Sequence, residues 1–478
     1  MSLKKRALSG VFWSSIQLFG NQIVSFVISV VLARLLLPEE FGLIAMIMVF
    51  TGLGQVLIDS GLSSSLIRTE HPTDVDYSTV FYFNLLGSTI IYGILYFLAP
   101  YIAEFYSQNI LTAIIRIYTL IFIINAFATI QNTRLTKNME FKTLMIVNTP
   151  SLIISGIVGI VMAYYGYGVW SLVWSRIAQS LAATIQLWYW AKWKPLLVFS
   201  RQKFKQHFNF GFKLMFSAVL DNFFNNAYPI IIGKFFAPAQ VGFYTKAEGL
   251  KMRPVSIISG LVSKITYPLF SEIQNDDKRL KSVYKRIMQM VIFLIAPTLI
   301  FIAVLGEPIF RFIYTEKWLP AVPYFQILCV AGILYPIHAY NLQILNVKGR
   351  SDLFLRLEII KKVLITLTII VAIQFGIYGL LYGAVFTSIA AFFINTHYSG
   401  KFINYKAIHQ IKDLLPTILI ALTGGLAIFG IDYMLKNTHD LIRIAFGTFS
   451  GTLLFLLLSW LFKLESFYEL KLILQRKK

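Results

Sequence analysis

The chain has one cysteine, Cys329, in 478 residues. That excludes an internal disulfide, and its position in an apolar run marks it as a packing residue. Charge is also scarce, at 14% of residues, with 22 acidic against 43 basic side chains. The six histidines, His71, His207, His338, His397, His409 and His439, are scattered without metal-ligand spacing. There is no Walker-type Gly-rich Lys motif to bind ATP, no nucleophile elbow and no evident Ser/His/Asp arrangement. Asp74-Val-Asp76 has the form of a metal-binding glycosyltransferase motif. It reads as a short acidic loop with Glu70 and His71, and three-residue matches are common by chance. Every connector is short, which leaves no room for a soluble catalytic domain. Enzyme function has little support.

What is present is apolar surface: 57% hydrophobic residues, 15% aromatics and a mean hydropathy of +0.69. A soluble domain could not solvate such a surface, so the chain is a membrane protein. The net charge of +21 would suggest nucleic acid in a soluble protein. Here the basic residues read as topology signals facing an anionic leaflet, with no nucleic-acid partner. Lys4-Lys5-Arg6 before an apolar segment imitates a signal peptide, but the segment is too long and reads as the first span.

Apolar stretches long enough to cross the hydrocarbon core fall near 11–33, 41–61, 78–100, 110–132, 144–165 and 168–191. A second set falls near 207–233, 241–263, 285–305, 321–346, 356–375 and 378–398, and a last pair near 413–434 and 441–462. The expectation is an all-α polytopic membrane protein with fourteen transmembrane helices, since no alternation suited to a barrel is present. Its segments are an N-terminal six-helix bundle (1–200), a C-terminal six-helix bundle (201–400), and an added hairpin with a tail (401–478). The region 192–206 is the expected linker. With the N-terminus cytoplasmic, most basic residues lie in cytoplasmic segments. The external loops keep only Arg34, Lys234, Arg311, Lys317, Lys436 and Arg443, so both termini are expected to be cytoplasmic.

The two bundles look like copies. At a constant offset of 200, Asn21 falls on Asp221, Arg34 on Lys234, Pro38 on Pro238 and Gly42 on Gly242. Each copy is a long apolar run, a Pro-containing corner, then another apolar run, and repeats of this size are a transporter architecture. Pro38, Gly42, Pro238 and Gly242 are read as structural corners.

Seven basic residues fall within spans: Arg116, Arg176, Lys213, Lys246, Lys251, Arg253 and Lys264. Arg116, Lys213 and Lys264 lie near span ends and can snorkel, whereas Arg176 is near mid-span. Span eight carries Lys246, Glu248, Lys251 and Arg253. Lys246 and Arg253 share a helical face, and Glu248 is placed to pair with Lys251. One reading is a self-neutralising cluster that fixes packing; the other is a basic wall for an anionic ligand, favoured by the surplus of positive charge. Polar stripes run along span one (Ser14, Gln17, Asn21, Ser25), span two (Thr51, Gln55, Asp59) and span seven (Lys213, Ser217, Asp221, Asn225). Singly these are interhelical hydrogen bonds; together they suggest a hydrated cavity. Asp221 is open to three roles: cation site, proton site, or partner for a nearby base.

The chain resembles the bacterial Wzx-type polysaccharide, or lipid-linked oligosaccharide, flippases. These share a superfamily with the multidrug and toxin extrusion (MATE) transporters. The segments that carry the resemblance are Leu36-Leu-Pro-Glu-Glu-Phe-Gly42, Asp59-Ser-Gly-Leu-Ser-Ser-Ser-Leu-Ile-Arg68, Ile232-Gly-Lys-Phe-Phe-Ala-Pro238, Gly242-Phe-Tyr-Thr-Lys-Ala247, Tyr267-Pro-Leu-Phe-Ser-Glu-Ile273 and Asn346-Val-Lys-Gly-Arg-Ser-Asp352. The fourteen-span form is similar to the colanic-acid and teichuronic-acid exporter branch.

The resemblance implies two six-helix bundles around a central cavity gated by spans one, two, seven and eight. It implies alternating access that moves a polyprenyl-pyrophosphate-linked oligosaccharide across the bacterial cytoplasmic (inner) membrane. Lys246, Lys251, Arg253 and Arg176 are then the expected pyrophosphate contacts, with Asn21, Gln55, Asp221 and Asn225 lining the path. Asp221 and Glu248 are the expected ion-coupling residues. No cofactor or metal is expected beyond a coupling cation (H+ or Na+) or the membrane potential. Partners are membrane lipids, a polysaccharide polymerase and glycosyltransferases. The alternatives are a MATE-like ion-coupled exporter of small molecules and, more remotely, a membrane glycosyl-polymerase or ligase.

Overall fold

A computed structural model describes residues 3–475. The side chains of 3–12, 14–16, 261, 263–265 and 473–474, Ser14 and Lys264 among them, lie outside the description. All regular structure among the described residues is helical. The chain divides into two compact units, Met1–Gly242 and Phe243–Lys478.

The first unit holds α1 (Leu3–Leu35), α2 (Pro38–Asp59), α3 (Leu62–Arg68), α4 (Asp74–Phe105), α5 (Ile110–Tyr118), α6 (Leu120–Lys137), α7 (Phe141–Tyr164), α8 (Val169–Ala191), α9 (Arg201–Asn225) and α10 (Ala227–Phe235). It also holds the first turn of α11 (Pro238–Glu272). The second unit holds the rest of α11, α12 (Asp277–Val304), α13 (Gly306–Tyr314), a 3-10 turn at Glu316–Ala321 and α14 (Val322–Val347). It ends with α15 (Ser351–Ala372), α16 (Gly376–Phe402), α17 (Ala407–Met434), α18 (Asp440–Leu461) and α19 (Glu465–Gln475).

Among the described residues, ten helical stretches are long and apolar enough to cross a membrane. Many large apolar side chains on the helices point outward, including Phe97, Ile185, Leu426 and Phe449. That is the surface of a multi-pass membrane protein, whose outer solvent is lipid. Helix packing relies on small residues, which let backbones approach without a hydrophobic drive between helices. In the first unit α7 packs on both α1 and α8. There the Ser155 and Ser175 hydroxyls are 2.9 Å apart, and a side chain at Gly156 would strike Ile28. In the second unit α17 and α18 cross at Gly424 and Gly451, each facing the other's carbonyl oxygen.

Several details depart from the sequence reading. The fourth predicted span is two helices, α5 and α6, meeting at Thr119, whose hydroxyl donates to the Ile115 carbonyl at 2.7 Å. The seventh is likewise divided, into α9 and α10, at Asn226. The predicted linker stops at Ser200, because the Ser200 hydroxyl caps α9 by accepting from the Lys203 N–H. Arg443, assigned to an external loop, is instead 2% exposed and forked onto Asp432 at 2.8 and 2.9 Å. Asp440 joins Arg443 to Arg311, and Arg311 also holds Glu307. Placing a guanidinium at a buried helix end requires such a set of carboxylates.

Candidate functional site: a cationic cluster on α11 and a polar tie on α9

The Pro238 ring begins α11 where a missing N–H costs nothing. Eight residues on, Lys246 is 9% exposed, and its ammonium lies 5.3 Å from the Tyr314 ring centroid and 5.5 Å from that of Trp318. Trp318 is fully buried, with Tyr314 stacked against it at 6.0 Å. The two rings turn their electron-rich faces to the cation, which offsets part of its desolvation. Burial pushes the Tyr314 phenol up from its ordinary range, while the Arg253 charge pulls it the other way. Arg253 also acts on Lys246 as a like charge.

Lys251 behaves differently. Its Nζ donates to both Glu248 oxygens, at 2.7 and 2.6 Å, and its stem lies against Gly332 of α14. Of the two readings of this cluster, self-neutralisation holds for Glu248 and Lys251. Arg253 lies two turns from Lys246 on the same helix. Pro254, directly after Arg253, removes one backbone hydrogen bond from the helix at the cluster.

The other predicted site residues lie in the first unit. Asn21 on α1 accepts from the Thr149 hydroxyl at 2.9 Å, an interhelical bond. Gln55 is half-buried on α2. Asp221 and Asn225 are exposed on α9, one turn apart. Arg176 is exposed on α8 and donates to Gln179 at 3.2 Å. Arg116 stacks on Tyr96, 4.3 Å from its centroid.

A second buried cluster was missed in the sequence. Asp76 is in the first turn of α4 rather than in an acidic loop, because Thr73 and Asp76 form a capping box. The Asp76 carboxylate is fully buried and accepts from the Thr73 N–H at 2.8 Å, the Thr73 hydroxyl at 2.6 Å and His207 Nε2 at 3.1 Å. Lys203 makes an ion pair with it at 3.0 Å. The other His207 nitrogen lies 2.8 Å from the Ser65 hydroxyl. A carboxylate can only accept, so Nε2 carries hydrogen and Nδ1 faces Ser65. A Ser/His/Asp chain therefore does exist, but all three members are buried, and it joins α3, α4 and α9 as a structural tie. The segment before α9 is stitched to α4 as well, by Trp193 to Asp74 at 3.0 Å and by the N–H groups of Leu196 and Ser200 to Ser78 and Thr79. Among the described residues no group of three His, Cys, Asp or Glu could hold a metal ion.

The Pro/Gly corners make the closest backbone approaches. A methyl group on Gly42 would collide with the Pro238 carbonyl, and one on Gly242 with the Pro38 carbonyl. The relation is reciprocal, so the first turns of α2 and α11 cross backbone to backbone. At the other end of α2, Gly61, with φ +67, meets Gly211 of α9 in the same manner. Glycine is required in both places, by contact at Gly42 and by contact plus left-handed backbone at Gly61.

An all-helical multi-pass protein with cations set on a long, proline-containing helix is the class that these features define. Residues 31–323 match the family described as polysaccharide biosynthesis protein, and the chain belongs to that family. It is 25% identical to the teichuronic acid biosynthesis protein TuaB of Bacillus subtilis, over 96% of both chains. It is 21% identical to the lipopolysaccharide biosynthesis protein WzxC of Escherichia coli, over 78% of this chain and 76% of that one. Among solved structures, the fold is similar to the lipid II flippase MurJ in an inward closed conformation, with a TM-score of 0.76 and 18% identity. The match covers 95% of this chain and 98% of MurJ. An inward-facing multidrug resistance MATE family transporter gives 0.62 at 15% identity, covering 83% and 100%.

Proposed function

We propose that this chain is a flippase that carries a polyprenyl-pyrophosphate-linked oligosaccharide from the inner to the outer leaflet of the cytoplasmic membrane. The product would feed exopolysaccharide, capsule or O-antigen-type assembly. The observation that carries the reading is Lys246, set over the Tyr314 and Trp318 rings, with Arg253 two turns on along the same long helix of a polysaccharide-biosynthesis family member. A pyrophosphate would meet both, Arg253 offering a planar fork and Lys246 a point charge. Lys251, already held by Glu248, would position the cluster rather than bind. The apolar tail stays in lipid, so the protein need only replace the hydration of the head group. The likeness in fold to a lipid II flippase supports a lipid-linked cargo.

In the same proposal the chain spans the membrane fourteen times with both termini cytoplasmic. It consists of repeats 1–200 and 201–400 with an added hairpin, 401–478. The ten apolar stretches are supplemented by α8, the α9–α10 segment and α11, which are too polar to count by hydropathy. Residues 351–402 contain two helices, α15 and α16. The site is exposed alternately to the two sides, and no covalent chemistry is performed. Arg176, Asn21, Gln55, Asp221 and Asn225 line the route of the sugar. An inside-negative potential favours outward movement of an anion by about 2.3 kcal/mol per charge per 100 mV. Coupling to H+ or Na+ through Asp221 or Glu248 would add to this; an Asp221→Asn protein with unchanged, gradient-dependent transport excludes that role for Asp221. A polymerase and glycosyltransferases are the expected partners.

The direct test is binding of polyprenyl pyrophosphate to the purified protein. Lys246→Ala/Arg253→Ala should weaken it by more than tenfold, and Arg176→Ala less. Equal binding by the double variant removes the site from α11. The second reading, a small-molecule exporter, is favoured by the MATE-like fold and predicts transport of a soluble anion without any lipid carrier.

A further inference from the structure

In the second unit a cavity of about 600 Å³ lies between the end of α16 and the start of α17, lined by Phe393, Thr396, His397, Lys401, Asn404 and Lys406. Its lining has two lysines and no carboxylate. Three other basic side chains of this unit are matched by carboxylates: Lys285 by Asp413, Lys348 by Asp277, Arg350 by Asp352. Lys401 and Lys406 are both exposed, and neither makes an ion pair among the described residues. The 403–406 turn that carries Lys406 is rigid. Tyr405 is buried and donates to Asp413, Gln410 donates to the Tyr405 carbonyl, and Lys281 donates to the Asn404 carbonyl at 2.7 Å. Gly400 leaves space for that turn, since a side chain there would strike Tyr405 and Lys406.

The chemistry changes along one helical face. Phe393, His397 and Lys401 are spaced four apart on α16, passing from apolar to basic toward the helix end, beside the start of the membrane-spanning α17. We infer that this cavity binds the phosphate of an anionic membrane phospholipid, with the acyl chains beside Phe393 and the phosphate between Lys401 and Lys406. The site is separate from the cluster on α11 and does not depend on the cargo carried there. Basic pockets between spans at the cytoplasmic interface suit such headgroups.

The test uses the full-length protein in a neutral detergent, titrated with phosphatidylglycerol, phosphatidylethanolamine or inorganic phosphate, with bound lipid read by native mass spectrometry. Lys401→Gln/Lys406→Gln is compared with Lys412→Gln/Lys463→Gln, an equal charge change outside the cavity. Each lysine near a lipid surface is worth about fivefold in affinity. The cavity pair should therefore weaken phosphatidylglycerol roughly 30-fold with an unchanged melting temperature, and the control pair should leave it intact. Equal loss in both pairs overturns the site in favour of diffuse surface charge. So does equal binding of phosphatidylethanolamine, or no loss in the cavity pair. Displacement of the lipid by inorganic phosphate at equal concentration overturns the lipid as its source.

Discussion

The two ends of α2 are held by different physics. At its Pro38 end, glycine meets a proline carbonyl in both directions, Gly42 on Pro238 and Gly242 on Pro38. The contact is one of shape, insensitive to protonation and salt. Nearby, Lys234 donates to the Phe105 carbonyl at 2.7 Å and lies over the Phe105 ring. At its Ser60 end, the Gly61–Gly211 approach is followed by the buried Asp76, His207 and Ser65 chain, with the half-exposed Lys203 paired to Asp76. There a charge has been taken out of water and must be matched. A shape contact can open and reclose with little electrostatic cost. A buried ion cluster opens only if water or another charge takes its place.

The largest expected effect comes from removing Asp76. Asp76→Ala leaves His207 buried without its carboxylate and should cost about 3 kcal/mol or more, read as a lower melting temperature of the purified protein. His207→Ala, which leaves Asp76 with Thr73 and Lys203, should cost less. Next in size is Gly42→Val, where overpacking against Pro238 should cost about 1–3 kcal/mol. Gly87→Ala, at a helix position with open space around it, should instead be neutral or stabilising by up to about 1 kcal/mol. If Gly42→Val melts like the wild type, the corner contact is not tight. A third comparison separates the α11 charges. Glu248→Gln/Lys251→Met replaces a buried lysine and its half-buried partner and should be neutral or stabilising, whereas Glu248→Gln alone should destabilise. The smallest effect belongs to Lys234→Met, about 1 kcal/mol or less for an exposed charge-assisted bond.

Much of this architecture could be read from the chain. Span-length apolar runs located nearly every long helix, and a three-residue spacing foretold the Glu248–Lys251 pair. The repeat offset placed Pro38 opposite Pro238 and Gly42 opposite Gly242 in the alignment of the two halves. It could not say that equivalent residues touch, because homology is a relation between sequences and contact is one between surfaces. The same limit hid Tyr314 and Trp318 from Lys246, and Asp76 from His207, 131 residues apart. A hint was available for Asp76. Thr73 followed three residues later by an acid, just before an apolar run, is a helix-start signal, and it outweighs the Asp-x-Asp pattern there. The short helices α3 and α13 were hidden because they are too brief to register as spans.

The most direct measurement of the central claim is leaflet transfer of a labelled polyprenyl-pyrophosphate oligosaccharide in proteoliposomes, with and without an imposed potential, beside Lys246→Ala/Arg253→Ala. The account predicts protein-dependent transfer, faster when the cargo's charge moves down the potential, and lost in an equally folded double variant. Absence of transfer for several sugar head groups, with export of a soluble anion by the same vesicles, would contradict it.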